Sequence, residues 1–153
     1  MIVSEPTGVP GQSGVYTDEW LSKAAGYKDY PFGIGPLLSR TAPDLCGEPS
    51  MWLGLKVTRH HLNGMGFCHG GVIMTLADEI MGGNVFRRCE EKPVPTASLQ
   101  VQFLSPAREG DLIEACITEM SISRTLAFVQ GRMMVGANTI ATTNAIYKII
   151  NRS

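Results

Sequence analysis

The stretch His61-Leu-Asn-Gly-Met-Gly-Phe-Cys-His-Gly-Gly-Val-Ile-Met-Thr-Leu-Ala-Asp-Glu-Ile80 decides how the chain is read. It passes from a polar, glycine-rich loop, Asn63-Gly64-Met65-Gly66, into a long apolar run. Val72, Ile73, Leu76, Ala77 and Ile80 recur at helical spacing, which predicts a helix over 70–88. Gly70 and Gly71 occupy its first turn, and the acid pair Asp78-Glu79 interrupts its middle. Nothing else in the chain combines a long helix, a mid-helix acid and a helix start bare of side chains.

Outward from this stretch the flanks read as strands. Upstream, residues 50–59 alternate, with Met51, Leu53, Leu55 and Val57 on one face, and residues 37–41 give a shorter strand. Downstream, Pro93 and Pro95 break the chain after the helix. Four strands are then expected over 97–104, 111–121, 126–135 and 140–150, and the short turns between them argue an antiparallel sheet. One long helix covering one antiparallel sheet is an α+β fold. Residues 1–45 read as an N-terminal arm: 1–16 are rich in Gly, Pro, Ser and Thr, and 17–26 form a short helix that Thr17 caps and Gly26 ends. The domain proper is expected over 46–153.

A chain of 153 residues suits a single hydrophobic core. With 44% hydrophobic and 18% charged residues and a net charge of −1, there is no electrostatic case for nucleic acid. No stretch approaches the roughly 20 apolar residues that span a bilayer. The first residues lack a basic region followed by an apolar one, so no signal peptide is expected. Cys46, Cys68, Cys89 and Cys116 form no C-x-x-C pair, which favours a reducing, cytoplasmic setting. His60, His61, Cys68 and His69 match no familiar zinc spacing, so no metal is expected. Cys68 and His69 are sequence neighbours, which rarely align as a nucleophile and its base. Phosphate-binding and dinucleotide fingerprints are absent.

The chemistry centres on the helix. Its opening N–H groups have no partner within the helix and sit at the positive end of its dipole. With Gly70 and Gly71 there, no Cβ blocks a ligand, and a developing oxyanion would be well placed. Tight packing is the plainer reading of the same glycines. Asp78 is a costly residue inside a helix. Counting by three and four, its face carries Gly71, Met74, Thr75, Gly82 and Val85, while Val72, Ile73, Leu76 and Ile80 point at the sheet. A solvated acid is the plainer reading, and Glu79 suits it better. Asn63 offers an amide donor for a carbonyl oxygen, or simply turn chemistry. Gly70 and Asp78 lie about 12 Å apart along one helix, too far to serve one carbonyl. Two copies of the helix, packed antiparallel across a two-fold axis, could put Gly70 of one beside Asp78 of the other; if both act, a homodimer with two shared sites is expected.

Asn63-x-x-Gly66-x-x-His69-Gly70-Gly71, followed by Leu76-Ala77-Asp78, resembles the signature of the hotdog-fold thioesterases, closest to the PaaI-type acyl-CoA branch. The similarity continues through Phe103-Leu-Ser-Pro106, Gly110-Asp-Leu-Ile-Glu-Ala115 and Arg124-Thr-Leu-Ala-Phe128. It implies a long central helix wrapped by an antiparallel sheet, here with an N-terminal extension, and sites at a dimer interface. It also implies an acyl-CoA thioesterase. The Gly70 N–H and the Asn63 amide would polarise the thioester carbonyl, and the partner's Asp78 would activate water or attack directly. Thr96 falls where related enzymes carry a hydroxyl that orients the water, and His69 would shape the loop and helix start. Coenzyme A, as part of the substrate and the sole cofactor-like group, would meet Arg124 with Ser123 and Thr125 beside it, and Gly71 and Gly82 on the helix. Arg87, Arg88 and Arg108 are alternatives for its phosphates. The resemblance also admits a dimer of dimers, and an acyl-CoA-binding sensor or carrier without turnover.

Overall fold

The computed structural model describes residues 34–151 except residue 36. The arm over 1–16 and the helix expected over 17–26 lie outside the described residues. Six strands and one long helix follow: β1 Leu38–Pro43, β2 Pro49–Lys56, α1 Gly70–Arg88, β3 Thr96–Phe103, β4 Leu112–Ile122, β5 Leu126–Val135 and β6 Asn138–Lys148. They build one antiparallel sheet in the order β1-β2-β4-β5-β6-β3, with α1 packed on one face. This is the hotdog fold. The sheet starts at Leu38, ahead of the residue-46 boundary read from the sequence.

The helix occupies the predicted residues, and its ends have local causes. His69 caps the start: its backbone is extended and its Nδ1 accepts the Gly71 N–H. At the other end Glu90 and Glu91 both adopt positive φ, 55° and 60°, which turns the chain out of the helix before Pro93. Ile73, Leu76, Ala77, Ile80 and Met81 are buried against the sheet. Val85 joins them at 0% exposure, so it faces the core rather than the Asp78 face expected for it. Val72, expected to point at the sheet, is only half-buried at the edge of the core. Each large side chain so buried contributes on the order of 1.5–3 kcal/mol.

One buried polar residue fixes the helix on the sheet. Asn84 Oδ1 accepts from the Ser50 hydroxyl at 3.0 Å and from the Met51 N–H at 2.9 Å. Its Nδ2 donates to the carbonyls of Met51 at 3.0 Å and Ile80 at 2.8 Å. Strand β2 stops at Lys56, short of the expected Arg59, because residues 59–61 close a 3₁₀ turn. His61 Nδ1 accepts the Thr58 N–H there, and His61 Nε2 donates to the Ile34 carbonyl at 2.7 Å.

Two features of β3 position the chemistry. It lies at the end of the sheet, so among the described residues it pairs on one side only, with β6. Its register also slips between Thr96 and Ser98. Leu99, Val101 and Phe103 pair with Ala145, Thr143 and Ala141 and share their face of the sheet. In an unbroken strand Ala97 would continue that face. The bulge instead sets Thr96 opposite Tyr147, which turns Thr96 toward the helix.

Candidate active site

Asp78 projects from the middle of α1 toward the β3–β6 end of the sheet. Its Oδ1 accepts from Thr96 Oγ1 at 2.8 Å and from the Tyr147 hydroxyl at 2.8 Å. The Tyr147 hydroxyl also lies 3.1 Å from the Asp78 backbone carbonyl. Burial pushes the Tyr147 phenol far above its ordinary range, and the neighbouring Asp78 carboxylate adds to the rise. The phenol is therefore a fixed donor at any physiological pH. Gly82 makes the arrangement possible: a Cβ there would sit 3.1 Å from Tyr147 Cε1. Gly82, expected to meet coenzyme A or a second helix, thus makes room for a ring of its own chain.

At the start of the helix the donors can be accounted for one by one. The Gly71 N–H goes to His69 Nδ1 at 2.9 Å. Those of Val72 and Ile73 go to the His69 carbonyl at 2.9 and 3.3 Å. Among the described residues, the Gly70 N–H is the first-turn donor left without an acceptor. A Cβ at Gly70 would lie 3.1 Å from Phe103 Cζ, so the ring that ends β3 stands beside this free N–H. His69 shapes the helix start, and Gly71 is held by that cap.

Asn63 Oδ1 accepts from the Met65 and Phe67 N–H groups at 2.9 and 3.2 Å. Turn chemistry therefore takes its oxygen. Ser123 closes the β4–β5 hairpin: its hydroxyl donates to the Leu126 carbonyl at 2.9 Å and accepts the Leu126 N–H at 3.1 Å. Its neighbours Arg124 and Thr125 are exposed. They lie close to the row Ala127–Tyr147–Thr96 that crosses three strands, at the Asp78 end of the sheet. Of the alternatives, the Arg108 guanidinium lies 4.6 Å from the Phe67 ring centre, and Arg88 reaches the Pro49 carbonyl at 3.5 Å. Arg87 and Arg88 are exposed at the end of α1.

The structure brings Asp78 and Thr96 together and keeps Gly70 and Asn63 at the far end of the helix. Eight residues of unbroken helix separate Gly70 from Asp78 by about 12 Å. Tyr147 was not among the residues singled out from the sequence. A depression of about 290 Å³ among Gln100, Gln130 and Asn144 lies on the opposite face of the sheet, away from Asp78. Burial pushes the Cys68 thiol up to about 11, so it stays protonated at neutral pH beside His69. All four cysteines are free. Among the described residues, no three His, Cys, Asp or Glu side chains converge as metal ligands, and no helix is long and apolar enough to cross a membrane.

Comparison with known proteins places the sequence. The profile of the thioesterase superfamily matches residues 65–141. A Pseudomonas aeruginosa protein provisionally named an esterase is 28% identical over 77% of this chain and 91% of its own length. Human acyl-coenzyme A thioesterase 13 is 33% identical over 48% of this chain, which spans about half of that relative, 53%. Among solved structures, an Asn-to-Asp mutant of the phenylacetic acid degradation protein PaaI from Thermus thermophilus superposes with a TM-score of 0.61 at 22% identity, covering 65% of this chain and 84% of that one. A Bacillus halodurans protein solved with CoA superposes with a TM-score of 0.61 at 20% identity, covering 65% of this chain and 66% of that one.

Proposed function

The chain belongs to the thioesterase superfamily, and we propose from that premise that it hydrolyses an acyl-CoA, or a related thioester, to the free acid and CoA. The observation that carries this reading is the pairing of a held mid-helix carboxylate with the one N–H at the helix start that is uncommitted among the described residues. Thioester hydrolysis needs both a group that activates water and a donor for the oxyanion. Asp78 takes the proton of a water as its oxygen bonds to the thioester carbon. The Gly70 N–H, helped by the Asn63 amide, holds the negative carbonyl oxygen. Collapse breaks the carbon–sulfur bond, and the proton passes to the departing CoA thiolate. In the variant route the carboxylate attacks first and water opens the mixed anhydride.

The distance of about 12 Å along one helix means that these groups serve different sites within a chain. A second copy related by a two-fold axis brings one protomer's Gly70 beside its partner's carboxylate. The edge of β3, unpaired among the described residues, and the exposure of Phe103, 52%, support a dimer that joins the two sheets there. Arg124, at the Asp78 end, meets the CoA phosphates, with Thr125 beside it.

The test is thiol release from short, medium, long and aromatic acyl-CoAs. Asp78→Asn should lose at least about 100-fold in kcat. Full activity in that variant refutes the assignment of the base. Binding of acyl-CoA with no turnover by the unaltered protein refutes hydrolysis and favours a sensor or carrier. Mixing Asp78→Asn with Asn63→Ala chains should restore part of the activity, and no recovery despite subunit exchange refutes shared sites.

A further inference from the structure

We propose that Tyr147 is a positioning residue: its hydroxyl, together with Thr96, ties down one oxygen of the Asp78 carboxylate and leaves the other, Oδ2, to face the substrate. This rests on the thioesterase reading of the same site. Both hydroxyls reach the same atom, Oδ1, each at 2.8 Å, and among the described residues no donor reaches Oδ2. A carboxylate on two side-chain torsions can turn either oxygen outward. Two donors on one oxygen remove that freedom, so Oδ2 is the atom that takes the proton from water or attacks the carbonyl.

The two donors are held by one piece of sheet. Thr96 and Tyr147 are cross-strand partners through the β3 bulge. Tyr147 is further locked by pairing with Ala127 on its other side, and it is 1% exposed with Gly82 against its ring. A tyrosine that served packing alone would find its acceptor in the Asp78 backbone carbonyl at 3.1 Å. The shorter contact goes to the carboxylate, and charge makes that bond the stronger.

Tyr147→Phe keeps the ring and removes the donor, and Thr96→Val removes the second donor from the same oxygen. Turnover of the best acyl-CoA of the panel should fall at least about tenfold in kcat in each, with KM within about twofold, since a misdirected base costs rate rather than binding. In the double variant the losses should not multiply, because both donors serve one group. A second readout is independent of turnover: the carboxylate infrared band of ¹³C-aspartate-labelled protein, differenced against Asp78→Asn, should shift in Tyr147→Phe. An unshifted band overturns the proposal whatever the turnover. A shifted band with kcat within twofold, or with KM alone changed, also overturns it. If the unaltered protein hydrolyses no thioester but the band shifts, the thioesterase reading fails while the hold on the carboxylate is supported.

Discussion

Replacing Gly82 with alanine sets two effects of similar size against each other. In an open helix interior the change would stabilise by about 1 kcal/mol, because glycine is the poorer helix former. Here the new Cβ would stand 3.1 Å from Tyr147 Cε1 and 3.5 Å from the hydroxyl oxygen. Restoring an ordinary carbon–carbon separation of about 3.5–4.0 Å requires a shift of roughly half an ångström. The ring has little room to give, since Tyr147 is 1% exposed and its backbone is paired with both β3 and β5. Overpacking of this kind costs about 1–3 kcal/mol. The net expectation is a loss of roughly 0–2 kcal/mol, read as the change in urea midpoint at constant slope. Activity should be more sensitive than stability. The phenol bond to Asp78 is 2.8 Å long, and a shift of that size takes it past the roughly 3.0 Å limit of a good O–H···O bond. Thiol-release kcat should therefore fall by about tenfold or more, and the effect should shrink in a Tyr147→Phe background. A protein stabilised by about 1 kcal/mol with unchanged kcat would refute the reasoning, because it would show slack between the ring and the helix.

Two further outcomes follow from the packing. Asn84→Ala strips three hydrogen bonds from the junction of α1 and β2 and one within the helix, and leaves the Met51 N–H and carbonyl without the Asn84 side chain; a loss of about 2–4 kcal/mol is expected by urea unfolding, and under 1 kcal/mol would show that water substitutes there. In a thiol-reagent titration only exposed Cys46 should react in the native protein, with buried Cys68, Cys89 and Cys116 joining on denaturation. Burial raises Cys68 to about 11 and Cys116 to about 12, so both stay as unreactive thiols at pH 8, and rapid reaction of either would refute their enclosure.

The helix was legible because its signals are local. Apolar spacing set its length, the Gly-rich loop and Gly70-Gly71 marked its start, and the prolines marked its exit. The hairpin sheet was legible for the same reason, through alternation and short turns. Val85 was misplaced because a count by threes and fours gives a face, not which side of that face meets the sheet. Tyr147 was invisible to such reasoning: it lies 69 residues from Asp78 and stands in a strand rich in β-branched residues, where a tyrosine reads as core. Ser123 was named through the resemblance, beside Arg124, and the hydrogen bonds of its hydroxyl within the hairpin could not be read from its position. A mid-helix aspartate does carry one usable signal, which is that it needs donors from outside its own helix.

The bulge in β3 acts as a frameshift. Two residues, Ala97 and Ser98, stand against one, Ile146, so the spacing from Thr96 to Leu99 is odd although both face the helix. Any residue-by-residue comparison of this strand with a regular one will set Ala97, not Thr96, at the position of the hydroxyl. A relative with an unbroken strand would present its hydroxyl two residues before the leucine equivalent rather than three. Such a pair would look like the loss of the hydroxyl beside the helix acid in an ungapped alignment, when the hydroxyl had only moved by one place.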